Sequence, residues 1–541
     1  MKRYISYLFL VITLSGISAC TKNFEKYNTD QNKATDQDLD YDNLRIGSLI
    51  SQMQAKVIPS HSLAENADVN TYQLINSLMG DIYSGHQGAS NAFGNNGVNN
   101  TTYSMIPGWY GAAFPYAYQN AMAPWYTIRK EAQRIGTGAN SAYAIAQIIK
   151  VMAMHRVSDI YGPLPYLNFV PASNIPYNSQ QDIYNSFFAE LDSAILNLKD
   201  MIAISGTTSQ SLKPYDLIYK GNLTKWYKFA NTLKLRLAMR IVYADATNAK
   251  KYAEEAAAAG VLSANDDNAV LQVNGVNTLN PLYIISYSYN DTRMGATMES
   301  FLKGYKDPRL PLLFNEATGN ISGDYHGIRN GSRFSGQAYS PFSTLNVTAA
   351  TTIQWMTAAE SYFLRAEGAI RGWQMGITAK EAYESGVKMA FSMPMGGGQR
   401  SAGDATVYLA NSTNKPAAYV DPMNSRNNFS GTTNSPLSTV TIRWEEADNF
   451  ERKLERIVTQ KWIALYPDGQ EAWSEFRRTR YPRIIPIATN LSNGLINSDI
   501  QIRRSPFPQS EYQNNNTNVT VGISLLGGAD NGATRLWWDK K

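Results

Sequence analysis

Apolar residues recur along this chain at the spacing of one helical face. Ile183, Phe187, Leu191, Ile195 and Leu198 are three or four positions apart, the repeat of a buried helix stripe. Ser179 stands before them with Asp182 three residues on, a hydroxyl and a carboxylate placed to satisfy the free N–H groups of a first turn. Trp226, Phe229, Ala230, Leu233, Leu237 and Ile241 form a second stripe. A third predicted helix covers Met356 to Arg371, rich in alanine (Ala358, Ala359, Ala366, Ala369), with Gly372 where its C-terminus should fall. Thr378 and Glu381 then make a capping-box pattern ahead of Tyr383 and Val387. Helices at 356–371 and 378–392 joined by a short turn have about the size of a 34-residue tetratricopeptide unit. No clean repeat runs through the chain at that period, so any repetition is degenerate.

The N-terminus follows a different pattern. Met1-Lys2-Arg3 is a short positive start, Tyr4 to Gly16 carries no charge, and Ile17-Ser18-Ala19 leads into Cys20. This is the layout of a secretory signal, and its apolar run is shorter than the roughly 20 residues a spanning helix needs. A cysteine directly after the small residues resembles a bacterial lipobox. Cys20 is the only cysteine in the chain. The expected organisation is a lipoprotein signal over 1–19 and a polar, lipidated tether over 20–42. Elsewhere no stretch is long and apolar enough for a membrane helix, so the mature chain should be held by lipid alone.

Between the helical stripes lie long polar stretches at 86–108, 260–295, 316–352, 393–446 and 488–535, read as irregular with possible short strands. They carry rings that disordered tails usually lack, among them Tyr103, Trp109, Tyr287, Tyr289, Tyr325, Tyr339 and Tyr408. Large ordered loops displayed on a helical scaffold are the economical reading.

Composition narrows the chemistry. Charged residues make up 17% of the chain, below a typical value of about 25%. Tyrosines number 34 against 18 phenylalanines, which favours wet contact surfaces built from rings with polar tips. A net charge of +5 spread over the whole length argues against nucleic acid as partner. His61, His86, His155 and His326 are scattered without an HExxH or a thiol partner, so neither a metal site nor a cofactor is expected. Gly136-Thr-Gly138 lacks the third glycine of a dinucleotide loop, and Gly396-Gly-Gly398 reads as a turn. Glu471 and Glu475, one helical turn apart, and the pair Glu360 and Glu367 could in principle serve a glycosidase. With Arg477, Arg478, Arg480 and Arg483 following, these carboxylates read as arginine partners, and the arginines as stacked and paired at a helix end. Asp307-Pro-Arg309-Leu310 reads as a helix-ending turn whose aspartate and arginine can pair. No catalytic constellation emerges, and no enzyme is expected.

Several further motifs lie in order along the chain: Phe24-Glu-Lys-Tyr-Asn28-Thr, Asp159-Ile-Tyr-Gly162-Pro-Leu-Pro165-Tyr166, and the run from Gly221 through Trp226, Asn231 and Arg236 to Arg240. Ala366-Glu367 to Gly372-Trp373, Gln460-Lys461-Trp462 to Pro467, Glu471-Ala-Trp473 to Thr479, and Gly527-Gly528 before Trp537-Trp538-Asp539 complete the set. Together they resemble the SusD/RagB family of Bacteroidetes surface lipoproteins, in the branch called starch-binding and outer-membrane-associated. Two departures stand out. The opening Asn-Thr motif lacks its usual proline, with Gln31 nearby. Arg480 occupies a position that is usually glycine, where a side chain makes positive φ difficult.

The resemblance implies a mainly α fold: four tetratricopeptide-like helix pairs, long ligand-binding loops and a few short strands, as a single domain over 43–541. It implies a lipid-anchored outer-membrane protein, exposed at the surface, that captures oligosaccharide. The ligand would then pass to a SusC-like TonB-dependent barrel. A peptide-binding homologue is the alternative, then a surface glycoside hydrolase using a Glu pair, or an adaptor whose helix grooves bind only protein. Sugars present apolar C–H faces and polar edges, so rings beside amides and carboxylates suit them. The loops offer Trp109 and Tyr110 after Asn99-Asn100, Tyr287 and Tyr289 before Asn290 and Asp291, and Tyr325 beside His326. For any single one of these rings, packing beneath a loop is the commoner fate.

Overall fold

The structure, a computed structural model, describes residues 44–541 except 64–67, 94 and 173. The signal segment, the tether with Cys20 and the motif at 24–29 lie outside the described residues.

The helices of ten residues or more are α1 (Leu44–Lys56), α2 (Ala123–Ile135), α3 (Asn140–Tyr161), α4 (Gln180–Ser205), α5 (Leu223–Arg240) and α6 (Ala246–Ala259). They continue with α7 (Ala296–Tyr305), α8 (Ala358–Ile370), α9 (Ala379–Ser392), α10 (Phe450–Leu465), α11 (Gly469–Thr479) and α12 (Asn516–Leu526). Consecutive helices pack as pairs, α3 with α4, α5 with α6, α8 with α9 and α10 with α11, and α4·α5 and α8·α10 join one pair to another. The fold is mainly α, as a tetratricopeptide-like scaffold requires. One apolar core runs through it from Ile46 to Trp538.

Local chemistry sets the helix limits. Ser179 Oγ accepts from the Asp182 N–H at the start of α4. Thr378 and Glu381 form both halves of a capping box on α9. The third stripe begins later than its pattern suggested, because Met356 belongs to a strand and Thr357 caps α8. Its alanines Ala358, Ala359 and Ala366 are buried. A Cβ on Gly386 of α9 would lie 2.9 Å from the Phe363 ring of α8, so the glycine makes room for that ring between the two helices. α3 is buried on almost every side, as expected of a helix enclosed by others.

The polar stretches contain more order than their composition indicated. Short antiparallel ladders join β1 (His61–Ser62) to β4 (Thr278–Leu279), β2 (Gln87–Ala89) to β5 (Thr292–Met294), and β3 (Ala269–Leu271) to β6 (Ile353–Met356). The stretch 393–446 holds a helix at Ala402–Leu409, and 488–535 holds α12, so neither is wholly irregular. α12 was hidden because Val519, Val521, Ile523 and Leu525 alternate with other residues instead of recurring every three or four positions; only Val519 and Gly522 are buried. Arg480 corrects another expectation. It caps α11 at φ 67°, in the left-handed region despite its side chain. Its N–H still donates to Phe476 O at 2.7 Å and its Nη2 to Asp499 O at 3.2 Å, bonds that offset a conformational cost of roughly 1–2 kcal/mol.

Candidate functional site

The carboxylates that sequence reasoning assigned to arginines sit in a buried ionic seam between α5, α8, α10 and α11. Arg236 of α5 grips Glu360 of α8 with two bonds, Nε to Oε1 at 2.7 Å and Nη2 to Oε2 at 2.6 Å. Arg240, one turn on, binds Glu471 and lies 3.6 Å from Asp159. Arg478 bridges Glu367 and Glu475, each at 2.6 Å, and Lys461 reaches Glu475 at 3.1 Å. Arg371 closes the far end on Glu367 at 2.8 Å. Burial pushes the Glu367 carboxyl up, but Arg478 and Arg371 outweigh it and hold it down at about 2. Burial likewise raises Glu475, and Arg478, Lys461 and Arg240 reverse that to hold it well below the carboxylate range. At Glu471 burial prevails over Arg240 and Arg236, and its carboxyl is raised. Glu471 is 2% exposed and Glu475 1%, so no substrate reaches this pair in the folded chain.

The neighbouring arginines are stacked and paired as the sequence suggested. Arg477 lies 3.6 Å over the Trp473 ring and donates to the carbonyls of Asp159 and Arg503. Asp307 holds Arg309 through two bonds of 3.0 and 2.6 Å. Asp159 also accepts from Trp538 Nε1 at 2.8 Å. At the seam's edge, α11 crosses the segment 73–83 through two glycines: a Cβ on Gly469 would lie 2.4 Å from Asp81 Cα, and one on Gly80 2.6 Å from Gln470 Cα. That crossing buries Asp81 near Asp468. Burial, then the Asp468 charge, push the Asp81 carboxyl up to about 8.

The loop side is built differently. The β2–β5 ladder pairs Gln87 with Met294 and Ala89 with Thr292, fastening the stretch after His86 to the stretch before α7. Beyond the ladder, Ser90 Oγ donates to Asn290 O at 2.6 Å and Asn91 Nδ2 to Asp291 Oδ1 at 2.8 Å. Phe93 follows at φ 50°, and its ring meets Trp109 edge-on with centroids 5.4 Å apart. A third loop closes the group, with Ala92 N–H donating to Gly336 O and Gln337 Nε2 to Tyr289 O, at 2.8 and 2.7 Å. Arg293 binds the loops from below, donating to the carbonyls of Ser286, Thr292 and Ser340 and to Asn290 Oδ1. Burial pushes its guanidinium down to about 10.

The residues selected from the sequence therefore take several places. Trp109 is half-buried beside Phe93, while Tyr289, Asn290 and Asp291 lie on the adjoining loop. Asn290 Oδ1 is held by Arg293, and Asp291 accepts from Gln73 as well as Asn91; both side chains brace the loops. Tyr287 is 38% exposed, packs against Tyr283 and donates to Leu345 O at 2.7 Å. Tyr110 presents its carbonyl to the Tyr161 hydroxyl. Tyr325 is half-buried next to Lys303, which bonds its carbonyl at 3.1 Å. Tyr103, Tyr339 and Tyr408 are buried; the Tyr339 hydroxyl donates to Asp421 at 2.9 Å. Sequence reasoning did not find Phe93, Asn91, Gln337 or Arg293, whose positions follow from the ladder and not from any local motif. Among the described residues no three His, Cys, Asp or Glu side chains group to hold a metal ion, and no helix is long and apolar enough to cross a membrane.

A family model for SusD-like proteins, described as SusD and RagB outer membrane lipoprotein, matches residues 26–539. The chain is similar to a solved structure from Flavobacterium johnsoniae described as a chitin-binding SusD homolog. The two share 40% identity over 92% of this chain and 99% of that one, with a TM-score of 0.83. SusD homologues from Bacteroides uniformis and Bacteroides thetaiotaomicron share 36% and 34% identity over the same proportions, at TM-scores of 0.81 and 0.83. Among curated proteins none matches.

Proposed function

The chain belongs to the SusD-like family of outer-membrane lipoproteins, and on that premise we propose that it captures oligosaccharide at the cell surface. The bound glycan passes to a SusC-like TonB-dependent outer-membrane barrel. In this reading residues 1–19 are a lipoprotein signal, 20–42 a tether acylated at Cys20, and 43–541 one SusD-like domain. The observation that carries the reading is the tied loop face, where Trp109 and Phe93 stand half-buried beside the 287–293 loop and the exposed amide of Gln337. Half-open rings flanked by amides match the C–H faces and hydroxyl edges of a pyranose. Capture needs no catalytic group, and the buried Glu471 and Glu475 supply none to the surface.

That the Flavobacterium johnsoniae homologue is described as chitin-binding makes N-acetylglucosamine oligomers the first ligands to test. Calorimetry with these oligomers should show binding that Trp109→Ala weakens about tenfold, roughly 1.4 kcal/mol, with an unchanged melting curve. Unaltered affinity would remove Trp109 from the site. Binding of peptides and not glycans on a mixed array would shift the reading to a peptide-capturing homologue. Cys20→Ser should move the protein out of the membrane fraction without unfolding it, since stable anchoring depends on acyl chains. Retention in the membrane would refute the lipid tether.

A further inference from the structure

Two side-chain amides on the loop face are each held at one end, and the held end fixes what the other end offers. Asn290 Oδ1 accepts from Arg293 Nη2 at 2.9 Å. A guanidinium has donors only, so the carbonyl end of this amide faces Arg293 and Nδ2 is turned away. Gln337 is oriented in the opposite sense. Its Nε2 donates to the Tyr289 carbonyl at 2.7 Å, and a carbonyl can only accept, so Oε1 is the outward end. Neither outward atom has a hydrogen-bond partner among the described residues. Both can be reached: Gln337 is exposed, and Asn290 is half-buried with Nδ2 open to solvent.

The two amides are neighbours, because the carbonyl that holds Gln337 belongs to the residue before Asn290. Each is also clamped. Asn290 sits at φ 56°, a left-handed position that asparagine tolerates better than most side chains. Its backbone carbonyl accepts from Ser90 Oγ at 2.6 Å. Arg293 behind it is 2% exposed and donates as well to the carbonyls of Ser286, Thr292 and Ser340, so it is a fixed anchor. Gln337 follows Gly336, whose carbonyl takes the Ala92 N–H at 2.8 Å. Phe93, next to Ala92, meets the Trp109 ring edge-on. These bonds link one outward donor, one outward acceptor and a pair of rings into a single patch.

We propose that Asn290 Nδ2 and Gln337 Oε1 read the acetamido group of an N-acetylated sugar, a specificity that rests on the glycan reading of the loop face given above. Nδ2 donates to the acetamido C=O, Oε1 accepts from its N–H, and the sugar lies against Trp109 and Phe93. A secondary amide is planar and presents its C=O and N–H on opposite sides, which suits a donor and an acceptor carried by two separate loops. A hydroxyl on the same carbon has a single oxygen and should satisfy one protein amide, leaving the other to water. A peptide group carries the same two atoms as the acetamido group; the half-open rings favour the sugar.

The test compares two β-1,4-linked tetramers that differ at one substituent: chitotetraose, with a 2-acetamido group, and cellotetraose, with a 2-hydroxyl. Both are titrated into the purified full chain by calorimetry, with N-acetyl-trialanine amide as the peptide arm. Chitotetraose should bind about tenfold more tightly than cellotetraose, the effect of one or two net hydrogen bonds. Asn290→Asp keeps an oxygen for Arg293 but replaces the outward donor with an acceptor. Gln337→Lys keeps a donor for the Tyr289 carbonyl but removes the outward acceptor. Each should lower the ratio between the tetramers about threefold or more with an unchanged melting curve. Trp109→Ala should instead weaken both tetramers together, as would any change that acted only by loosening the loops. Equal affinity for the two tetramers, both still dependent on Trp109, would overturn the acetamido specificity and leave the glycan reading standing. A ratio unmoved by both Asn290→Asp and Gln337→Lys would overturn it too, as would no binding of either tetramer. Peptide bound more tightly than chitotetraose would overturn the specificity and the glycan reading together.

Discussion

The ionic seam and the loop face use the same residue types for opposite ends. In the seam, Arg236, Glu360, Arg478 and Glu475 are at most 1% exposed and every carboxylate faces a cation. On the loop face, Asn290, Asp291 and Arg293 serve as braces, while Trp109 and Gln337 stay open to solvent on at least one side. The seam spends its polar groups on each other and so fixes how the helices cross. The loop face commits its polar groups to backbone carbonyls and leaves rings unmatched. Unmatched groups near a surface are where a ligand can gain; in the seam, removing one member of a pair strands the other.

The largest effect should come from leaving one seam charge alone. Glu360→Ala strands Arg236 without its two-bond partner and should cost about 3–5 kcal/mol, read as a lower denaturant midpoint. A loss below about 1 kcal/mol, the level of an exposed pair, would mean the seam does not set the fold. A pH-dependent effect of the other sign is expected at Asp81. Its carboxyl is pushed from an ordinary value of 3.8 up to about 8 in the folded chain. Its stabilising contribution is therefore complete below about pH 4 and is lost as pH rises through 8. Asp81→Asn should remove that slope, stabilising the protein progressively as pH rises from 4 to 8, by about 1.4 kcal/mol for each pH unit at most, while doing little at pH 4. A flat difference across that range would place Asp81 ionised and paired. Glu367 runs opposite: held at about 2, its contribution is present above about pH 4.5 and fades as pH falls toward 2. The smallest stability effect belongs to the loops. Phe93→Ala should change the melting point little, within about 1 kcal/mol, yet weaken glycan binding through the loss of the Trp109 edge contact. A large melting shift would make the ring pair part of the core and erase the contrast with the seam.

Much of the scaffold was legible because its signals are local. Ser179, Thr378 and Gly372 mark helix ends within four residues, and stripes such as Trp226 to Ile241 show their buried face directly. The seam was half legible: Glu471 and Glu475 beside an arginine run suggested pairing, but the partners Arg236 and Arg240 lie more than two hundred positions away. The loop face was barely legible. Trp109 could be selected as a ring among amides, whereas Phe93 joins it only because the β2–β5 ladder and a left-handed turn aim it there. The glycine expected at Arg480 misled for a related reason, since a left-handed cap can be held by its backbone N–H and one side-chain bond to a distant carbonyl.

The contact between Trp538 and Asp159 spans 379 residues, and that separation constrains time as well as shape. At a synthesis rate of roughly 5–20 residues per second, Asp159 would wait about 20–75 seconds for its indole partner. Until then α3 lacks the donor that helps balance its acidic end beside Arg240, and contacts of such range are slow to form. A nascent chain stalled before Trp538 should thus remain protease-sensitive within 140–161.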